Sequence, residues 1–362
     1  MRRDQGKLWR VLPAFALVFL GAAASFPGAA QTAITYDELK KVNVSLEITG
    51  FDFASGLNAA ANGQPNWNGV EMVQAQWAGS GFIVQPDGTL LTNYHVARKA
   101  LGGRAVFEDG SAYDIIQIKA YDPVNDLAVL KLRAQKTFPT VKLGDSDSIN
   151  VMDKVLAVGN ALGQHMAVTE GMVNQLFVND NNVRYQIRHS ATIAPGNSGG
   201  ALYRGDQVIG INVAGILGYS IYYSIPVNIA KPLLDPKYAA GVPLAQAFPT
   251  DLQAIVKRAK QIFTQSGQVP AATKQDAGAQ GFTLDVFPLE DIIFVVESPG
   301  KDLALAAISP ADNKPVGLSN LAAVGSDMLI VNNQSLSKLA IYVMNYDKKP
   351  ANFALTAYVI QW

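Results

Sequence analysis

Gly196-Asn197-Ser198-Gly199-Gly200 sets one hydroxyl among closely spaced glycines. Glycines beside a serine let the backbone bend tightly, including into positive φ, so that two N–H groups can converge beside the hydroxyl. That is the local geometry of a nucleophilic Ser198, with the N–H groups of Gly196 and Ser198 as candidate donors to an oxyanion. The pentapeptide taken alone also fits an ordinary glycine-rich loop, so its partners elsewhere in the chain decide. A serine hydroxyl is a weak nucleophile near neutral pH and needs a base.

The chain has three histidines, His95, His165 and His189. His95 follows Gly81-Phe82-Ile83-Val84, a Gln85-Pro86-Asp87-Gly88 turn and Thr89-Leu90-Leu91-Thr92-Asn93-Tyr94. This reads as strand, tight turn, strand, with the histidine where the second strand ends. His165 and His189 lie in a polar-to-apolar passage and in a separate strand-like run, and read as surface or satisfied core residues. A catalytic imidazole needs a carboxylate to fix its tautomer. Asp126 opens Leu127-Ala128-Val129-Leu130-Lys131-Leu132, an apolar run that reads as a buried strand. A carboxylate at the edge of such a run is costly without a hydrogen-bond partner. Asp122, before a proline, reads as a solvated turn residue.

The order His95, Asp126, Ser198 and the motifs around it resemble the trypsin-like serine peptidases, above all the protease domain of the HtrA (Deg) family. The resembling pieces are Gly79-Ser80-Gly81-Phe82-Ile83, Leu91-Thr92-Asn93-Tyr94-His95-Val96, Asn125-Asp126-Leu127-Ala128-Val129-Leu130, Val158-Gly159-Asn160, Gly171-Met172-Val173-Asn174, Pro195-Gly196-Asn197-Ser198-Gly199-Gly200-Ala201-Leu202 and Val208-Ile209-Gly210-Ile211-Asn212. They cover roughly residues 70–230 in the family's order. The resemblance implies a chymotrypsin-like double β-barrel, with His95 and Asp126 from the first barrel and Ser198 from the second. It implies an endopeptidase acting on polypeptides through a covalent acyl-enzyme, in which Ser198 attacks, His95 moves the proton and Asp126 orients His95. Short Val/Ile/Leu-rich runs between Gly, Asp, Asn and Pro over residues 40–230 independently argue for an all-β protein.

By the same resemblance, further positions carry over. Thr192, six residues before the serine, falls at the base of the primary pocket, and being uncharged it argues against Arg or Lys at the cleaved bond. Val213-Ala214-Gly215 is the expected substrate-pairing strand, and Ile221 and Tyr223 the expected far wall, narrowing the pocket toward Ala or Val. The plainer alternative for these residues is barrel core. Digestive trypsins carry an aspartate before the serine that pairs with a cleaved N-terminus; here the position is Asn197, so activation by such a cleavage is not expected. HtrA proteins usually carry an acidic residue where this chain has Ser190, and no PDZ domain is recognisable, so their loop regulation is not carried over.

Arg2, Arg3, Lys7 and Arg10 precede an apolar run from Val11 to Ala24, with small residues at Gly28-Ala29-Ala30. This reads as a secretory signal peptide over residues 1–30, too short in its apolar part for an ordinary membrane anchor. The expected location is periplasmic or extracellular, with no stable membrane span after cleavage. The chain has 362 residues and no cysteine, which excludes a disulfide framework and a thiolate site. Lys plus Arg and Asp plus Glu both number 29, and a chain of zero formal charge without a basic stripe argues against a nucleic-acid partner. There is no Walker loop, dinucleotide fingerprint or His-x-x-x-His pair, and the chemistry calls for no cofactor or metal.

Beyond a protease region over residues 31–240, Leu252, Ile255, Val256, Ala259, Ile262 and Phe263 recur at helical spacing, with Thr250 and Gln253 as a capping box and Gly267 as a stop. Residues 241–281 are therefore expected to be an amphipathic helix and linker, and residues 282–362 a small β-sandwich of six strands. The last two strands loosely resemble a bacterial pre-peptidase C-terminal domain. The competing readings are a catalytically silent protease-fold protein that binds through this sandwich, and an esterase using the same triad. Oligomeric state is not readable from the residues.

Overall fold

The computed structural model describes residues 34–53, 72–161, 166–216, 221–250, 254–255, 257–274, 276–286, 290–301, 303–319, 326–333, 336–360 and 362. The signal-peptide segment and His165 lie outside these residues.

The described chain begins with α1 (Tyr36–Val42), capped reciprocally by Thr35 and Glu38. Then β1 (Asn43–Phe53), β2 (Met72–Gln85), β3 (Thr89–Thr92), the single turn α2 (Tyr94–Ala97), β4 (Ala100–Val106), β5 (Ala112–Asp122) and β6 (Leu127–Leu132) follow. Hydrogen-bonded order is β5-β4-β1-β2-β3-β6, and β6 pairs back onto β5, so six strands close on themselves. β7 (Lys142–Leu143) leads to a second closed set: β8 (Lys154–Gly159), β9 (Ala167–Val178), β10 (Arg184–His189), β11 (Ala201–Arg204), β12 (Gln207–Ile216) and β13 (Ile221–Pro226). Here the order is β11-β8-β9-β10-β13-β12, closed by β11 on β12, and α3 (Val227–Ala230) ends the unit. The fold is the expected chymotrypsin-like double β-barrel.

Residue alternation explains how one apolar strand serves two cores. Along β6, Ala128 and Leu130 point into the first barrel, while Leu127 and Val129 point into the layer between the barrels. That layer also takes Phe82, Leu91, Val158, Tyr203 and Ile211, so burial on both faces accounts for the unbroken apolar run. The second barrel is filled by Val155, Val173, Ile187, Leu202, Ile209 and Tyr222.

Residues after the barrels depart from expectation. β14 (Val242–Pro243) adds an edge to β5, and α4 (Leu244–Ala247) packs Leu244 into the first barrel's core. The helix expected from residue 250 does not run through 259–267; Ala254 and Ile255 are helical, but β15 (Ala259–Val269) is a strand paired with the last strand of the chain. A β-bulge between Gln261 and Phe263 shifts the alternation and leaves apolar residues at helix-like spacing. The pairing supplies the backbone hydrogen bonds that Thr264-Gln265-Ser266-Gly267 would not support well in a helix.

β15 belongs to a β-sandwich with β16 (Gly278–Asp285), β17 (Asp291–Glu297), β18 (Leu303–Ser309), β19 (Lys314–Ser319), β20 (Ser326–Asn332), β21 (Lys338–Asn345) and β22 (Ala351–Ile360). One sheet runs β15-β22-β17-β20 and the other β16-β21-β18-β19. Among the described residues the sandwich has eight strands where six are expected, β15 and β19 being the additional two. Ile292, Phe294 and Val296 of β17 face the other sheet, whereas Ile293 and Val295 join the core of the first barrel. The sandwich and the first barrel thus share a hydrophobic core.

Candidate active site

Asn93 precedes α2, and its side chain donates to the Asp126 carbonyl at 2.9 Å, tying the start of α2 to the start of β6. Asp126 sits at φ 53°, a left-handed conformation that Asp tolerates better than most residues. Its carboxylate grips His95 twice. The His95 backbone N–H donates to Oδ1 at 2.8 Å, and ring Nδ1 lies 2.7 Å from Oδ2. An ionised carboxylate only accepts, so Nδ1 carries the proton and Nε2 is left as the basic nitrogen.

Ser198 comes from the second barrel, on the loop before β11. Asn197 N–H donates to the Ala194 carbonyl at 2.9 Å, with Pro195 next and Gly196 at φ 98°. Proline at the second position and a positive-φ glycine at the third make this a type II turn. The carbonyl of Ser198 accepts from Ser80 N–H at 2.8 Å, and Gly199 N–H donates to the Asn212 carbonyl at 2.9 Å. Gly199 has φ +85°, and a Cβ there would lie 2.2 Å from Thr92 Oγ1 and 2.3 Å from the Ser80 carbonyl, so only glycine fits. The Ser198 hydroxyl donates to the Val213 carbonyl at 3.4 Å. Among the described residues no hydrogen bond joins it to His95, and none draws the Gly196 or Ser198 N–H away to a backbone carbonyl.

One residue at the barrel junction escaped the sequence reading. Ser80, in Gly79-Ser80-Gly81, is 1% exposed. Its hydroxyl donates to the Gly196 carbonyl at 2.7 Å and accepts from Asn160 N–H at 2.7 Å. Thr92 Oγ1 donates to the Ser80 carbonyl at 2.7 Å. The signal was a lone hydroxyl between two glycines on a strand that is otherwise apolar at its buried positions.

The pocket residues divide. Thr192 is exposed, and its carbonyl accepts from Thr169 Oγ1 at 2.6 Å. Val213, Ala214 and Gly215 lie on β12, with Ala214 opposite Tyr223 and Gly215 opposite Tyr222. Ile221 and Tyr223, the expected wall, are on the outer side of β13, where the Tyr223 ring faces Phe177 at 6.4 Å. Alternation places Tyr222, 6% exposed, and Ser224 on the inner side instead. A Cβ on Gly215 would lie 2.6 Å from the Tyr222 ring, so that ring packs directly beneath Gly215. Ile221 and Tyr223 thus lie on the face of β13 opposite to that of Tyr222.

His189 is fully buried; Nε2 lies 3.0 Å from Ser224 Oγ, which donates to Asn212 Oδ1 at 3.0 Å. Burial lowers its pKa to about 4, so it is neutral near pH 7. Asn197 is buried too, and its Oδ1 has no hydrogen-bond partner among the described residues. The turn before Ser198 is held by the backbone contacts already described.

Residues 79–211 match the trypsin-like peptidase domain family. The putative serine protease HhoB of Synechocystis sp. is 30% identical over 246 residues, covering 66% of this chain and 55% of that protein. The probable periplasmic serine endoprotease DegP-like of Chlamydia trachomatis is 38% identical over 173 residues, covering 45% of this chain and 34% of that protein. The chain thus spans about half, or less, of the length of these relatives. Among solved structures, the HtrA-type protease AlgW with tripeptide is 30% identical, with a TM-score of 0.46 over 57% of this chain and 63% of that one.

Proposed function

From a trypsin-like peptidase domain over residues 79–211, we propose that this chain is a serine endopeptidase that cleaves polypeptides outside the cytoplasm. The observation that carries the reading is the double grip of Asp126 on His95, with Nδ1 at 2.7 Å and the backbone N–H at 2.8 Å. A carboxylate that accepts both leaves the imidazole in the one tautomer able to take a proton from a hydroxyl.

In the proposed reaction the Ser198 side chain turns from the Val213 carbonyl toward His95. Oγ attacks the scissile carbonyl as His95 Nε2 takes its proton. The amine leaves with that proton, and an acyl-enzyme remains on Ser198. Water then attacks, giving its proton to His95, and the acid product departs as Ser198 is reprotonated. The Gly196 and Ser198 N–H groups receive the developing oxyanion; removing one such donor costs about 10²–10³ in turnover. No cofactor takes part. Val213-Ala214-Gly215 pairs with the substrate backbone, and Thr192 and Tyr222 limit the primary pocket to small aliphatic side chains. The basic and apolar N-terminal segment, together with relatives named as periplasmic, supports a periplasmic site of action.

The test is labelling by a fluorophosphonate. Labelling of the wild type that Ser198→Ala abolishes supports the reading, and an unlabelled wild type overturns it.

A further inference from the structure

α2 (Tyr94–Ala97) carries His95 but is a single turn, too short to persist through its own hydrogen bonds. The direction of the imidazole depends on what grips the residues around it. On the barrel side, Trp77 Nε1 donates to the Val96 carbonyl at 2.8 Å, and Tyr94 stacks on Tyr121 at 5.4 Å. On the other side the grip comes from the C-terminal sandwich. The Tyr94 hydroxyl donates to the Trp362 carbonyl at 3.2 Å. Lys99 Nζ lies 2.6 Å from Asp291 Oδ2 and 4.9 Å from the centre of the Trp362 ring. Arg98 Nη2 lies 3.8 Å from Asp291 Oδ1, and Trp362 Nε1 donates to Asp291 Oδ2 at 2.6 Å.

These groups are out of water. Asp291 is 0% exposed, and Arg98 and Lys99 are each 4% exposed. Lys99 also has φ 61°, a strained conformation for a non-glycine residue, which persists only when its surroundings over-determine it. Asp52 lies 3.1 Å from Lys99 Nζ as a second carboxylate beside it. Ile293, Val295, Tyr358 and Trp362 share a hydrophobic core with Tyr94 and Val96.

We infer that Asp291 and Trp362 are positioning residues for His95, so that the C-terminal sandwich is a built-in brace of the catalytic helix. This rests on the proposed role of His95 as general base. Removing the Asp291 charge takes a buried counter-charge away from Arg98 and Lys99, and that loss is relieved by movement of the groups around it. The movement passes to His95 through Arg98 and Tyr94, whose N–H and carbonyl close the helix turn at 2.7 Å. A displacement of about 1 Å in a catalytic group can cost about 10²-fold in rate.

The experiment uses the full chain with Asp291→Asn, Trp362→Phe and, as control, Ser298→Ala. Ser298 is buried in the sandwich and donates to the Asn352 carbonyl at 2.6 Å. It lies seven residues beyond Asp291, roughly 20 Å along the strand. Peptide hydrolysis is measured below each variant's unfolding temperature, alongside the low-field Nδ1 proton resonance of His95. Asp291→Asn and Trp362→Phe are expected to lower kcat about 10- to 100-fold with KM changed less than about twofold, and to shift or broaden that resonance. Ser298→Ala is expected to leave both as in the wild type. Folded Asp291→Asn and Trp362→Phe variants with wild-type kcat and resonance overturn the inference, as does an equal loss in Ser298→Ala. A wild type that does not label with a fluorophosphonate defeats the hydrolase reading alone, because the resonance still reports whether Asp291 and Trp362 hold His95.

Discussion

Ser80 of the first barrel donates its hydroxyl to the Gly196 carbonyl of the second at 2.7 Å. The same oxygen accepts from Asn160 N–H at 2.7 Å, so Ser80→Ala leaves a buried donor and a part-buried acceptor unpaired. Each unpaired group costs about 1–3 kcal/mol. The Gly196 carbonyl belongs to the peptide between the two proposed oxyanion donors, so its release also disturbs their aim. We expect Ser80→Ala to lower kcat about tenfold or more, up to the roughly 10²–10³ of a lost donor, with KM little changed. Steady-state kinetics on a peptide substrate checks this, and a wild-type kcat rejects the role.

Asp126→Asn tests the other half of the site. Both carboxylate oxygens accept, one from the His95 backbone N–H and one from ring Nδ1. An amide offers one acceptor and one NH₂, so one contact must become donor against donor unless the ring changes tautomer. The expected loss in kcat is about 10⁴-fold with the fold retained. Circular dichroism and single-turnover kinetics on the folded variant measure it.

Much of the fold was legible because its signals are local. Alternating strands and Gly, Pro and Asp turns marked the barrels, and His95, Asp126 and Ser198 each sit in a short motif with its own chemical reason. What escaped depends on distant partners. Ser80 is one hydroxyl in a strand until Gly196 and Asn160 arrive from the other barrel. Tyr222 and Tyr223 are adjacent and similar, and only the pairing of β12 with β13 decides which faces inward. The Ala259–Val269 strand was hidden because its bulge imitates helical spacing and its partner lies some ninety residues away. Asp291 could be seen at the head of an apolar run, as Asp126 was, but its cationic partners come from the first barrel.

Tyr222 yields a specificity prediction. Its ring lies beneath Gly215 and packs with the second barrel's core, and in the proposed pocket it is the group that sets the depth open to a substrate side chain. The wild type is expected to favour Ala or Val at the cleaved bond, by about 1–3 kcal/mol per misfitting methylene. Tyr222→Val opens the space and should raise kcat/KM for Leu or Phe relative to Ala by about tenfold or more. A peptide library profiled on both proteins decides it; a wild type that prefers Phe or Arg rejects the pocket assignment.

His189 connects pH to the loop that bears Ser198. Nε2 lies 3.0 Å from Ser224 Oγ, Ser224 Oγ donates to Asn212 Oδ1 at 3.0 Å, and the Asn212 carbonyl accepts from Gly199 N–H at 2.9 Å. Ser224 spends its proton on Asn212, so it accepts from Nε2, and burial keeps the ring neutral. Burial lowers the folded-state pKa to about 4, against about 6.5 in an unfolded chain. Between those values the unfolded chain binds the extra proton, so acidification favours unfolding. The contribution is complete above about pH 6.5 and is lost as pH falls toward 4, reaching about 2 kcal/mol of lost stability at pH 5. His189→Gln removes the titration and keeps a side chain able to donate to Ser224. The stability difference between wild type and His189→Gln, from urea unfolding, should therefore narrow by about 2 kcal/mol between pH 7.5 and pH 5. A difference that stays constant over that range shows that His189 does not couple protonation to folding. The ring carbon-bound proton resonances of His189 give a second readout, and they should remain those of a neutral imidazole down to about pH 5.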